Sequence, residues 1–277
     1  MAITAQEVNK LRQMTGAGMM DCKKALVESD GDFDLAIEIL RKKGQKVSAN
    51  RADRQTNEGS VFIQTREDST LAVIVALGCE TDFVAKNQDF LDLGNEILAI
   101  AYQEQPADVE ALKALKIGSL SIAEKITELI GKIGEKIDIV AYEVAKGEKV
   151  IPYIHAGSKL GVLVVLKGAE GTDVTEAGRS VAMQIAAMRP VAVDKDDVDP
   201  AVVQQELKIG REQAIAEGKP EQMLDKIAEG KLNRFYKDNT LLNQAFVKDN
   251  AVTVAKYLDS VNKGLTVESF KRVSVSQ

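Results

Sequence analysis

Val8, Leu11 and Met14 recur at helical spacing near the start of the chain, and Thr4 and Glu7 stand in front of them at the spacing of a capping box. Gly16 and Gly18 break this helix. Met19 to Val27 make a second, closed by Asp30-Gly31. Asp32 is placed to cap a third, in which Leu35, Ile37, Ile39 and Leu40 supply apolar surface. Gly44 follows the last lysines and reads as its C-terminal stop. Three helices of this size enclose a marginal core, which suits docking better than chemistry. Gln45 to Glu58 has mixed charge and no periodicity and reads as a linker, with Lys46, Arg51 and Arg54 as its solvated cations.

The pattern then changes. Val61–Gln64, a turn at Glu67-Asp68-Ser69 and the apolar run Leu71–Leu77 predict a hairpin. Helical patterns follow from Phe90 to Tyr102, Ala107 to Leu115 and Ser121 to Ile130. Gly131 and Gly134 frame Lys132-Ile133, and Ile137–Tyr142 reads as a strand. The second half repeats the plan. Val150–His155, a Gly157-Ser158 turn, Leu160–Leu166 and a helix capped by Thr172 or Asp173 and running to Met188 again make strand, turn, strand and helix. The repeat predicts two related α/β subdomains in an α+β chain. Residues 201–217 and 221–236 read as a charged, protruding helical hairpin around Gly218-Lys219-Pro220. Phe246-Val247, a helix near Val252–Leu258 and a closing strand Leu265–Val273 complete the chain.

The stretch Gly78-Cys79-Glu80-Thr81-Asp82-Phe83-Val84-Ala85-Lys86 joins the apolar strand to the next helix, a place where rigid elements commonly mount functional groups. Phe83 stands there after two polar residues, in a chain with only 4% aromatics. It either folds back to staple the coming helix or projects toward a partner with Asp82 beside it. Spacing does not separate the two. The second repeat, joined through Lys167-Gly168-Ala169-Glu170-Gly171, has no counterpart to this ring. Met19 and Met20 are adjacent, so one helix face cannot bury both. Either Met19 packs inward with Met20 exposed, or the pair contributes to a binding surface beside Arg12 and Lys23.

Composition narrows the function classes. The 277 residues carry 36 lysines and arginines against 42 aspartates and glutamates, a net charge of −6, so direct nucleic-acid binding is disfavoured. Cys22 and Cys79 are too few for a disulfide framework and read as reduced thiols. With His155 the only histidine, His-pair metal motifs are excluded; no P-loop occurs, and Asp21 occupies the third glycine position after Gly16-Ala17-Gly18. No secretory or transit segment and no membrane-length apolar run is evident. The expectation is a cytoplasmic, cofactor-free, non-enzymatic protein.

Two long motifs then converge. Leu11-Arg12-Gln13-Met14-Thr15-Gly16-Ala17-Gly18-Met19-Met20-Asp21-Cys22-Lys23-Lys24-Ala25-Leu26 and Cys79-Glu80-Thr81-Asp82-Phe83-Val84-Ala85-Lys86 closely resemble the two signatures of the bacterial elongation factor Ts family, in order and spacing. Segments around His155-Ala156-Gly157, Glu229-Gly230-Lys231-Leu232 and Phe246-Val247 are similar too. The chain departs from the family at Ala76, Gly78 and Ala245, where Glu, Asn and Pro are usual. The resemblance implies a guanine-nucleotide exchange factor for elongation factor Tu. It implies an N-terminal ubiquitin-associated-like three-helix module with its linker (1–54), a core subdomain with the Asp82-Phe83 loop (55–142), and a second subdomain with the hairpin 201–236 (143–277). Arg12, Met19, Met20 and Lys23 would dock on the GTPase domain. Thr81, Asp82, Phe83 and Val84 would form the loop entering near the partner's magnesium and phosphate site, with Ile133 beside it. His155, Phe246 and Val247 would contact another domain of the partner. The rival class is a helical adaptor with no effect on any nucleotide.

Overall fold

The computed structural model describes residues 3–276; Met1, Ala2 and Gln277 lie outside the described residues. The chain opens with α1 (Ala5–Thr15), α2 (Met19–Glu28) and α3 (Phe33–Asn50). The capping box forms: the Glu7 amide donates to Thr4 Oγ1 at 3.2 Å, and the Thr4 amide donates to Glu7 Oε2 at 2.7 Å. Gly16 ends α1 in the left-handed region. Val8, Leu11, Cys22, Ala25, Leu26 and Ala36 make a small core of their own.

The third helix does not stop at Gly44. It runs on to Asn50, so residues 45–50, expected as linker, are helical. Gly44 is buried where α3 crosses a helix of the core; a Cβ there would stand 3.2 Å from the Thr127 carbonyl and 3.6 Å from the Gly131 Cα. The glycine serves close approach of two backbones rather than termination.

Strands β1 (Glu58–Thr65) and β2 (Leu71–Cys79) form the expected hairpin. After it come α4 (Asp82–Ala85), α5 (Gln88–Glu104), α6 (Val109–Ala114), the short pair β3 (Lys116–Ile117) and β4 (Leu120–Ser121), and α7 (Ile122–Ile133). Helix α7 passes through Gly131 and is closed by Gly134. Strand β5 (Ile137–Lys146) then pairs with β2, giving an antiparallel sheet ordered β1-β2-β5. The second half has β6 (Lys149–Ile154), β7 (Leu160–Lys167) and α8 (Thr175–Met188). Val174, without a side-chain bond, is the N-cap of α8, while Asp173 Oδ1 accepts from the Thr175 amide at 3.0 Å. The chain continues through α9 (Pro200–Ala216), α10 (Leu224–Asn239), β8 (Ala245–Phe246), β9 (Asp249–Thr253), α11 (Val254–Val261) and β10 (Thr266–Ser274). Its sheet is ordered β6-β7-β10. In each half the hairpin's second strand is central, and the strand that returns after the helices pairs with it.

The two sheets pack face to face. Ala72, Ile74 and Ala76 of β2 meet Leu163 and Val165 of β7 in this inner layer. The alternate residues Val73, Val75, Leu77 and Cys79 face α5 and α7 on the other side. Covering both faces explains why β2 is one continuous apolar run rather than an alternating one. The outer face of the second sheet packs on α8 and α11. Helices α9 and α10 pack on each other, with Gly210 set against Ala228. No described helix is long and apolar enough to cross a membrane.

Candidate functional site

The corner after β2 is a single helical turn. Thr81 is its N-cap, and its hydroxyl accepts the Val84 amide at 3.4 Å. Val84 and Ala85 are buried in the helix-side core, which pins the turn's inner face to the sheet. A residue one step along a helix points about 100° away, so pinning Val84 and Ala85 turns Phe83 outward. Its side chain is 82% exposed. The stapled alternative for Phe83 is therefore not what the fold adopts. Asp82, also exposed, takes a hydrogen bond from Lys86 Nζ at 2.8 Å. The Lys86 hydrogen bond and charge hold the Asp82 carboxyl below its usual range, so the corner presents an ionised acid beside an apolar ring.

The backbone behind the ring is fixed from several directions. Glu135, just past α7, accepts from the Thr81 amide at 3.1 Å and from the Thr81 hydroxyl at 2.9 Å. Glu80 accepts twice from Arg51, at 2.9 and 3.0 Å, and once from the Lys136 amide at 2.7 Å. Partial burial works to raise the Glu80 carboxyl, but the Lys136 amide and the Arg51 guanidinium outweigh it and hold the group below the usual glutamate range. Lys136 in turn donates its ammonium to the carbonyls of Ala52 and Arg54 at 2.6 and 2.9 Å. Arg51 is thus a structural cation, not the solvated connector residue expected from the sequence. Sequence reasoning missed Glu135 and Lys136 as well. The available signal was Glu80, a carboxylate inside the motif.

Gly78 and Ala76 have local reasons. A Cβ at Gly78 would lie 2.8 Å from Thr56 Oγ1 and 2.9 Å from Val140 Cγ1, so Thr56 fills the space an asparagine side chain would need. Ala76 is buried between the sheets with Ile74, Leu163 and Val165.

The other expected contact residues fall in four places. Arg12, Met19, Met20 and Lys23 are all exposed on α1 and α2; Met19 is 52% and Met20 64% exposed, so neither methionine packs inward. Ile133 ends α7, partly buried against the helix-side core and two residues before Glu135. His155 is exposed on the β6–β7 turn, its Nδ1 2.9 Å from the Tyr153 hydroxyl. Val247 is half exposed, but Phe246 is not a surface residue. It is 3% exposed and stacks on Tyr257 at 4.1 Å between ring centroids. Phe246 anchors the turn that presents Val247. The fully buried Gln184 holds the same turn: it donates to Gln244 Oε1 and the Ala245 carbonyl and accepts from the Val247 amide at 2.8 Å. Among the described residues, no group of three or more His, Cys, Asp or Glu side chains is arranged to hold a metal.

Comparison with known proteins gives the family. The family model described as Elongation factor TS matches residues 80–277. A protein named Elongation factor Ts from Amoebophilus asiaticus is 59% identical over 275 residues, covering 99% of both chains. The protein of that name from Cytophaga hutchinsonii is also 59% identical over 275 residues with the same coverage. The one from Christiangramia forsetii is 53% identical over 274 residues, 99% of this chain and 98% of the relative. With its exposed aromatic corner and matches running from end to end, the chain belongs to the elongation factor Ts family of translation factors.

Proposed function

We propose that the protein is a guanine-nucleotide exchange factor that binds elongation factor Tu with GDP bound and speeds GDP release, so that GTP can take its place. It performs no covalent chemistry, needs no cofactor of its own, and works in the cytoplasm without direct contact to nucleic acid. Residues 1–54 act as a ubiquitin-associated-like docking module with its connector, 55–142 as the subdomain that carries Asp82 and Phe83, and 143–277 as the second contact subdomain. The observation that carries this reading is the Phe83 ring, 82% exposed on a turn whose Thr81 amide and Glu80 carboxylate are both bonded to the 135–136 turn. A ring held rigidly outward loses little conformational entropy when a partner covers it, which suits it to act as a contact.

Exchange requires a factor that binds the empty GTPase better than the loaded one, and by reciprocity the two effects are equal. A 10⁴-fold shift, taken as an illustration, needs about 5.5 kcal/mol of differential affinity. Burying one Phe side chain supplies roughly 1.5–3 kcal/mol. The ring therefore selects where force is applied, while broader contacts supply the remainder: Arg12, Met19, Met20 and Lys23 on one side, His155 and Val247 on the other. Phe83 wedges apart the elements that hold the partner's magnesium, and the ionised Asp82 adds unfavourable charge near the phosphates. Magnesium tolerates little distortion of its octahedral shell, so a small displacement suffices.

The test is release of fluorescent GDP from elongation factor Tu. Phe83→Ala should keep most of the affinity for the GDP-bound partner, which the broader contacts supply, and slow stimulated release by about 10- to 150-fold, the equivalent of the burial energy above. Unchanged release would refute the wedge.

A further inference from the structure

We propose that Glu80 is a positioning residue for exchange: by clasping Arg51 and the Lys136 amide, it makes the exit of the helical module, the turn after α7 and the Phe83 corner one rigid piece. This rests on the reading of Phe83 as the group that acts on the partner. Three segments distant in sequence meet at this point. Arg51 lies one residue beyond the end of α3. Glu80 and Thr81 lie between β2 and α4, and Glu135 and Lys136 lie between α7 and β5.

The bonds interlock rather than merely coexist. Glu80 reaches back to Arg51 and across to the Lys136 amide. Lys136 returns across the same gap to the carbonyls of Ala52 and Arg54. The next residue, Thr81, is tied through both its amide and hydroxyl to Glu135. Asp82 and Phe83 follow at once, so the direction of the ring is set by two consecutive residues that are both held to the 135–136 turn. An exposed ion pair contributes little. The Glu80 side chain, however, is only 17% exposed, takes both bonds from one guanidinium nitrogen, and has its third bond to backbone, which cannot swing away.

The clasp also links the two regions assigned to partner contact. Helix α3 carries the module that bears Met19, Met20 and Lys23, and Arg51 follows directly from it. Docking of the module and aim of the ring are therefore geometrically coupled through Glu80. Misplacing an acting group by about 1 Å can cost on the order of 10²-fold in rate, while the bulk of the binding surface is unaffected.

The experiment measures the maximal rate of fluorescent-GDP release from elongation factor Tu at saturating factor, and separately the affinity for nucleotide-free partner. Glu80→Ala and Arg51→Ala should each lower the maximal rate by about 10-fold or more with affinity changed less than about threefold. The double variant should be no worse than the worse single, because the two residues act as a unit. Glu80→Gln, which keeps an acceptor for the Lys136 amide, should fall between, and Lys46→Ala, an exposed cation of the same helix, should match the parent. Amide exchange at Thr81 and Lys136 should accelerate in Glu80→Ala while β2 stays protected. If Phe83→Ala slows release but Glu80→Ala and Arg51→Ala leave the maximal rate unchanged, the clasp has no positioning role. If Phe83→Ala also leaves release unchanged, the wedge reading itself fails. Additive losses in the double variant, or unaltered protection at Thr81 and Lys136, would overturn the coupling. Arg51→Ala removes a partly exposed side chain, so it retains the fold even if Glu80→Ala does not.

Discussion

Gly131→Ala tests how the helical module is held on the core. Helices α3 and α7 cross at Gly44 and Gly131. A Cβ on Gly131 would lie 2.8 Å from the Gly44 Cα and 3.6 Å from the Gly44 nitrogen. Carbon atoms in contact prefer about 3.5–4.0 Å. No side chain can move aside, because the obstructing atoms are backbone, so the helices must separate. Overpacking of this kind costs roughly 1–3 kcal/mol. Alanine offsets about 1 kcal/mol of that through its better helix propensity. An open pocket of about 250 Å³ lies beside the crossing, lined by Met14, Ile37, Leu40 and Leu120 and by the charged Asp21, Arg41, Lys43, Glu128 and Lys132. The net expectation is about 0–2 kcal/mol of destabilisation, directed at the seam. Gly230 in α10 is the control, since a Cβ there meets nothing within 4 Å. Gly230→Ala should stabilise by up to about 1 kcal/mol through propensity alone. Urea denaturation of the two variants should therefore diverge by about 1–3 kcal/mol, and amide exchange in α1–α3 should accelerate only in Gly131→Ala. Equal stabilisation by both alanines would show that the backbones do not touch as described.

Phe246→Ala should cost about 3–5 kcal/mol in denaturant, as for a buried aromatic, whereas Phe83→Ala should leave the midpoint unchanged, because its ring contributes almost no burial to the folded state. Gln184→Leu should cost about 2–4 kcal/mol by leaving the Val247 amide and the Ala245 carbonyl without a partner, and amide exchange at Val247 would report it directly. Burial, reinforced by Glu135 and Glu58, pushes the Cys79 thiol up to about 12. An acid whose folded value is raised adds stability that is complete below its unfolded value near 9 and is lost as pH climbs toward 12. Titration with an aromatic disulfide at pH 8 should find Cys79 unreactive until the chain is unfolded, and Cys79→Ala should lessen the loss of stability above pH 9.

Most elements were legible because their patterns were unambiguous. The run Leu71–Leu77 is too short and too apolar for a surface helix, and its flanking turns left only a buried strand. The duplicated hairpin and helix followed from the same reading. The misreadings came from residues whose types serve two purposes. Gly44 after lysines looks like a terminator, yet the same absence of a side chain permits a helix crossing, and only the position of Gly131 in space distinguishes them. Residues 45–50 carry a single large apolar side chain, Val47, so no stripe marked them as helix. Phe83 and Phe246 each sit beside valine in a short polar stretch; which ring faces outward depends on what neighbouring residues bury, and periodicity cannot carry that information over so few residues. Arg51 was unreadable for a related reason: its partner is remote in sequence.

Strand β2 has both faces covered along its whole length, and the corner is its continuation. A beam clamped on both sides, with its end tied to the 135–136 turn, has little freedom to bend. Under the wedge proposed above, any load on the corner is therefore shared by both sheets and the helices behind them.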